Sequence, residues 1–277
     1  MLGYDLHGPS DAPALVLGSS LGATRDMWDE QLDALSARFR VVRYDHLGHG
    51  ESPAPAGPYT IERLAAELVA LLDHLGVERA HLAGVSLGGM VAMRLAATRP
   101  ERVGRLALIC TAARLEPGLW RERAATVRAG GMDAITDTAP ARWFTPGFAG
   151  TARAERLRET LRETVPEAYA SCCDAIAAMD LRPLLSAIRA PVLVLAGAED
   201  PATPPQLGRD IVDRVRAGGG AARFEVVPDA AHLCTVEQAE CVQTLLLHHL
   251  DATAGEAPDM VSSSMERHGS GEETSGG

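Results

Sequence analysis

Residues 81–100 read HLAGVSLGGMVAMRLAATRP, and the fold follows from how that stretch divides. HLAG is a short apolar run of the kind that forms a buried strand, whereas LGGMVAMRLAATRP carries apolar residues at helical spacing and stops at Pro100. Between them stands Gly84-Val85-Ser86-Leu87-Gly88, a G-x-S-x-G. A strand that turns into a helix this tightly forces Ser86 into strained backbone geometry and lifts its hydroxyl above the sheet edge. Gly84 and Gly88 leave no side chain to collide where strand and helix pack. The pentapeptide alone is a weak signal, and its seat between strand and helix makes it a strong one.

The same alternation runs outward in both directions. ALVL (14–17), VVRY (41–44) and RLALIC (105–110) read as strands, as do PVLVLAG (191–197) and FEVVP (224–228). In IERLAAELVALLDHLG, Ile61, Leu64, Ala65, Leu68, Leu71, Leu72 and Leu75 share one helical face, with Thr60 placed to cap it and Gly76 to stop it. Helices also suit residues 206–217 and 237–250. Strands alternating with helices imply crossover units, hence an α/β chain with a mostly parallel sheet and helices on both faces.

Residues 114–188 break that rhythm, offering helical stretches such as ERLRETLRETV (155–165) and PEAYASCCDAIAAMDL (166–181) but no convincing strand. The expected organisation is a core from 1–113 and 189–250, with a helical lid inserted at 114–188 above the strand ends. A tail at 251–277, rich in Gly, Ser and acids (six acids against one arginine, net −5), is expected to be disordered.

Composition narrows the class. The chain has 277 residues, 46% of them hydrophobic, which suits a globular protein of one large or two smaller domains. No apolar run approaches the ~20 residues of a membrane span, and the start MLGYDLHGPSDAP has no signal core, so a cytoplasmic protein is expected. With 37 acids against 26 basic residues, all arginine, the formal charge of −11 disfavours nucleic acid as a partner. An anionic substrate would need a local positive group. Five cysteines without framework spacing read as reduced, buried packing residues. Nothing in the pattern fixes an oligomeric state, and a homo-oligomer stays open.

A serine hydroxyl is a poor nucleophile until a base takes its proton, so Ser86 needs a histidine held by a carboxylate. Of nine histidines, His232 is best placed, in the loop PDAAH after the strand FEVVP. AGAEDPATPP, after PVLVL, offers Asp200, with Glu199 as the alternative; Asp200 is preferred because Ser86, Asp200 and His232 then each lie just past a strand's carboxyl end. The oxyanion needs donors, and the N–H of Leu87 and the N–H of Leu21, in Gly18-Ser19-Ser20-Leu21-Gly22, are chosen. His46 and His49 share an H-x-x-H spacing, but nothing beside them supports a metal, and no cofactor is expected. His248 and His249 are read as complements to the negative end of the last helix.

The order of G-x-S-x-G, post-strand Asp and late His, split by a helical insert, resembles the α/β-hydrolase family over residues 1–250. More narrowly, GSSLGATRDMWD, RYDHLGHGES, GVSLGGM, ARWFTPGF, CCDAIAAMDLRP and AGAEDPATPP are similar to the 3-oxoadipate enol-lactonases of aromatic degradation. Many hydrolase-fold enzymes carry His-Gly where this chain has Ser19-Ser20, which also resembles the lactonases. The resemblance implies a Ser-His-Asp acyl-enzyme opening of a small anionic lactone. Arg142 is then a candidate to pair the substrate carboxylate, and Trp143 and Ser20 are further candidate contacts. The rivals are a broad carboxylesterase or perhydrolase relative and, from another class, a hydrolase-fold protein that only binds its ligand.

Overall fold

A computed structural model describes residues 1–138 and 140–251. The apolar runs become central strands because both their faces are covered: Leu15, Val16 and Leu17 in β2 (Ala14–Gly18) are buried, as is all of β6 (Val192–Gly197). The other strands are β1 (Tyr4–His7), β3 (Arg40–Tyr44), β4 (Ala80–Val85), β5 (Val103–Ile109) and β7 (Ala222–Val227). They form one seven-stranded sheet in the order β1-β3-β2-β4-β5-β6-β7, in which β1 alone is antiparallel.

β1 is missing from the sequence reading. Its four residues alternate apolar and polar, lie at the sheet edge and run into Gly8-Pro9, so no apolar run marks them.

The helices of the core are α1 (Asp29–Ser36), α2 (Ile61–His74) and α3 (Leu87–Thr98). Thr60 caps α2 by accepting the Arg63 N–H at 3.1 Å, and Gly76 just beyond it adopts φ +65°, as the sequence predicts. Between β5 and β6 the regular elements of the described residues are all helical: α4 (Pro117–Gly130), α5 (Asp133–Thr136), α6 (Pro140–Trp143), α7 (Ala152–Glu163), α8 (Pro166–Ala178) and a 3-10 turn at Arg182–Ala187. The last three are α9 (Pro205–Ala217), α10 (Cys234–Glu237) and α11 (Ala239–Asp251). α2 packs on α3, and α9 joins α3 through the 3-10 turn, while α1 packs on α11.

One expectation about the chain's end changes. Asp251 is the last residue of α11 and pairs with Arg38, so the helix outlasts the expected boundary by one residue. The rest of the expected tail, 252–277, lies outside the described residues. Among the cysteines, Cys110, Cys172, Cys173 and Cys234 are buried and free, but Cys241 is exposed.

The topology places the site. From β2 the chain turns to β3 on one side, then crosses back over to β4 on the other. The carboxyl ends of β2 and β4 therefore lie side by side with nothing connecting them directly, Gly18 opposite Gly84. Open parallel sheets bind ligands at such a switch point.

Candidate active site

Ser86 occupies the bend between β4 and α3 with φ 52° and ψ −112°, a backbone region that costs a residue with a side chain about 1–3 kcal/mol. The bend is locked. The Ser86 N–H donates to the Ile109 carbonyl at 2.9 Å, and the Thr111 hydroxyl donates to the Ser86 carbonyl at 2.7 Å. A Cβ on Gly84 would lie 2.4 Å from the Gly88 carbonyl carbon, and one on Gly88 would lie 2.4 Å from that of Gly18. Only glycine allows the strand, the helix and the end of β2 to meet this closely.

Asp200 follows β6 and His232 follows β7. His232 Nδ1–H donates to Asp200 Oδ2 at 2.8 Å, and both side chains are buried. Glu199, the alternative acid, is exposed. The Asp200 carboxylate also receives the Thr203 hydroxyl at 2.6 Å and the N–H groups of Ala202 (2.8 Å) and Thr203 (3.0 Å). Burial alone would raise its pKa. The charge His232 carries when protonated, its hydrogen bond and the two hydrogen bonds of Thr203 outweigh burial and hold the carboxyl well below the usual carboxylate range. The acid is therefore ionised and keeps His232 in the tautomer whose Nε2 lone pair is free.

The structure draws the acid and base together but makes no hydrogen bond from the Ser86 hydroxyl to His232. Contacts of that kind are often long before substrate binds and tighten in the complex.

The loop after β2 has four backbone N–H groups in question. Ser20 N–H points to Met27 Sδ (3.2 Å), Gly22 N–H to His49 Nε2 (2.9 Å) and Ala23 N–H to the Ser20 carbonyl (3.1 Å). At the elbow, Gly88 N–H goes to the Ser19 carbonyl at 3.0 Å. The N–H groups of Leu21 and Leu87, the two donors chosen from sequence, are among those in these two turns with no protein acceptor among the described residues.

His46 and His49 brace this loop. His46 Nε2–H donates to the Ser19 carbonyl at 2.9 Å; His49 Nδ1–H donates to the Leu47 carbonyl at 3.1 Å, leaving its Nε2 to accept from Gly22. Burial first, then the neighbouring His49, pushes the His46 pKa down to about 3 against the opposing Ser19 bond. Burial likewise lowers that of His49. Both rings are neutral props.

The insert closes over the loop. Gly22 has φ +81°, and a Cβ there would lie 2.4 Å from Leu161, 3.2 Å from the Tyr169 ring and 3.5 Å from the Trp143 ring. Trp143 is buried against the loop that follows β2. Its carbonyl accepts the N–H of Leu233, beside His232, at 2.9 Å. Glu237 ties the same two segments, accepting the N–H of Ala231 (2.9 Å) and of Thr145 (3.0 Å). Arg142 is half-buried. Burial, then the charge of Arg123, holds its pKa below the ordinary guanidinium value, and the Asp200 charge opposes this. Ser20 is buried with its N–H engaged, so only its hydroxyl remains to meet a ligand.

His249 departs from its expected role as a charged helix end. It is buried, its Nε2–H donates to the Leu106 carbonyl at 3.1 Å, and burial, then Arg223 and Arg105, pushes its pKa down to about 3. Desolvation outweighs the helix dipole. Thr203, Glu237, Tyr169, Arg123 and the propping role of His49 escaped the sequence reading. Only Thr203 carried a local signal, three residues after an acid in a turn-forming D-P-A-T.

The α/β-hydrolase fold family matches residues 13–238, and the chain belongs to it. It is a hydrolase of that family. 3-Oxoadipate enol-lactonase 2 of Acinetobacter baylyi is 40% identical over 240 residues, covering 86% of this chain and 88% of that protein. The crystal structure of the enol-lactonase from Burkholderia xenovorans LB400 superposes with a TM-score of 0.87 at 40% identity, covering 91% of this chain and 96% of that one. RutD of a Caulobacter species, named as a candidate carbamate hydrolase, is 31% identical over 91% of this chain and 96% of its own length. Among the described residues no helix is long and apolar enough to cross a membrane.

Proposed function

We propose that the protein opens 3-oxoadipate enol-lactone to 3-oxoadipate through an acyl-enzyme on Ser86. The observation that carries the reaction type is the 2.8 Å Asp200–His232 pair, taken with a serine strained at a strand-to-helix bend. The substrate is supported by the 40% identity to enol-lactonases over most of the chain.

In this reading Ser86 Oγ adds to the ring carbonyl as His232 Nε2 takes its proton, and Asp200 stabilises the imidazolium. The N–H groups of Leu21 and Leu87 hold the oxyanion. The ring C–O bond then breaks and the enol oxygen leaves, recovering a proton from His232; the enol becomes a ketone, so leaving is easy. Water, activated by His232, releases the acyl group. Arg142 pairs the substrate carboxylate, Trp143 walls the ring, and the helices between β5 and β6 act as the lid.

The test is hydrolysis of freshly generated enol-lactone, followed by loss of its ultraviolet absorbance. Turnover far above that on p-nitrophenyl acetate supports the lactonase. Comparable or better turnover of the simple ester, or of a carbamate as the likeness to RutD would favour, replaces it. No turnover of any of these leaves a ligand-binding protein.

A further inference from the structure

A cavity of about 520 Å³ opens between α4 and α9, with Pro201 and Ala202 of the Asp200 loop in its wall. Five arginines line it: Arg114, Arg123, Arg142, Arg182 and Arg214. Three already hold an acid. Arg114 and Arg182 share Asp180 at 2.9 and 2.6 Å, and Arg214 holds Asp210 at 2.8 Å. Glu116, the other acid in the wall, caps α4 by accepting the Gly118 N–H at 3.3 Å. Arg123 and Arg142 have no carboxylate within ion-pair distance among the described residues. Two unneutralised guanidiniums thus stand together in a protein whose formal charge is −11. Burial first, then the charge of Arg123, lowers the pKa of Arg142, and an anion between the two guanidiniums would relieve that cost.

Arg123 is held in place. Its Nε–H donates to the Tyr169 hydroxyl at 2.8 Å, and its guanidinium lies 5.6 Å from the Tyr169 ring centre and 5.9 Å from that of Trp120. The same Tyr169 ring stands against Gly22 of the oxyanion loop, so one tyrosine separates that loop from the arginine pair. Arg142 in turn precedes Trp143, whose ring also stands against Gly22. Pro201 and Ala202 of the Asp200 loop share the cavity wall with both arginines, and the Asp200 charge acts on Arg142, so the pair stands beside the acid end of the Asp200–His232 couple.

We propose that Arg123 completes, with Arg142, a two-arginine seat for the terminal carboxylate of a six-carbon acyl chain, and that the protein also hydrolyses aryl half-esters of six-carbon dicarboxylic acids. The chain length rests on the reading above, in which ring opening leaves Ser86 esterified by a six-carbon acyl group ending in a carboxylate. With mono-p-nitrophenyl adipate the steps balance. Ser86 Oγ adds to the ester carbonyl as His232 takes its proton; the aryl C–O bond breaks, and the proton returns to the departing phenolate. Water, deprotonated by His232, then displaces Ser86 and yields adipate.

The experiment compares kcat/KM on mono-p-nitrophenyl adipate and on neutral p-nitrophenyl hexanoate, for the wild type and for Arg123→Gln and Arg123→Lys. The wild type is expected to favour the half-ester tenfold or more. R123Q should cut that ratio about tenfold, mainly through KM, in line with loss of a charge-assisted hydrogen bond, and R123K should restore part of it. Adipate should inhibit hexanoate hydrolysis competitively, with a weaker inhibition constant in R123Q. A wild-type ratio at or below one overturns the seat without need of any variant, and so does a ratio that R123Q leaves unaltered. Enol-lactone turnover without a half-ester preference would remove the seat and keep the lactonase; a preference that depends on Arg123, without enol-lactone turnover, would do the reverse.

Discussion

Ser86, Asp200 and His232 hang from the ends of strands whose backbone the sheet holds, whereas Arg123, Arg142, Trp143 and Tyr169 come from helices α4, α6 and α8 of the insert. The first group is positioned by backbone: a strained bend, two forced glycines, an acid gripped by its own turn. The second is positioned by side chains that meet across long stretches of chain, Arg123 on Tyr169 and both aromatic rings on Gly22. Bonds that join the halves include Leu233 N–H to the Trp143 carbonyl and Glu237 between Ala231 and Thr145. In the proposed reading the sheet half breaks bonds and the insert half chooses the substrate, so variants in the sheet half should act on kcat.

The largest effect belongs to Ser86→Ala, which should lower kcat on enol-lactone by about 10⁴–10⁶-fold while binding persists. A residual rate within tenfold of wild type in pure protein would detach the elbow from the chemistry. Asp200→Asn comes next, at about 10⁴-fold in kcat, because the amide permits the wrong imidazole tautomer. A loss seen only in KM would move Asp200 out of the catalytic half.

His49→Ala sharpens the division, since this ring touches neither reacting group and acts through Gly22. We expect a loss of roughly 10–100-fold in kcat with little change in KM, short of the full loss of an oxyanion donor. His49→Gln, whose carbonyl can accept the Gly22 N–H, should recover part of it. Equal losses in both variants would argue for a packing role alone.

The smallest effect is on stability. The pKa of His249 lies at about 3 in the folded protein against ~6.5 unfolded, so below ~6.5 the unfolded chain binds a proton that the folded one refuses. Stability is then complete above pH ~6.5 and falls as pH drops toward 3, by about 1.4 kcal/mol per pH unit for this histidine. Urea midpoints at pH 7, 6 and 5 measure the slope, and His249→Gln should flatten it. An unchanged slope would mean that the ring is charged in the fold.

What was legible in the sequence follows the same division. The strained elbow and the Asp200–His232 pair were readable because strand-to-helix punctuation and short-range turns express themselves within a few residues. Even the choice between Glu199 and Asp200 came from position relative to β6, and the exposure of Glu199 agrees with it. β1 was invisible because an edge strand of four alternating residues has no apolar run. The arginine pair, Tyr169 and Glu237 were invisible for another reason. Arg123 meets Tyr169 across 46 residues and Thr145 meets Glu237 across 92, separations at which no local spacing carries information. His249 shows the same limit: its helix position suggested a charge that its burial removes.

A fluorophosphonate probe tests the nucleophile directly, since it reacts covalently only with a serine whose proton a neighbouring base can take. Peptide mass spectrometry should find a single adduct on Ser86 in the wild type, none there in Ser86→Ala, and labelling slowed at least a hundredfold in His232→Asn. An unmodified Ser86, or one labelled as fast without His232 as with it, would contradict the division of labour between sheet and insert at its root.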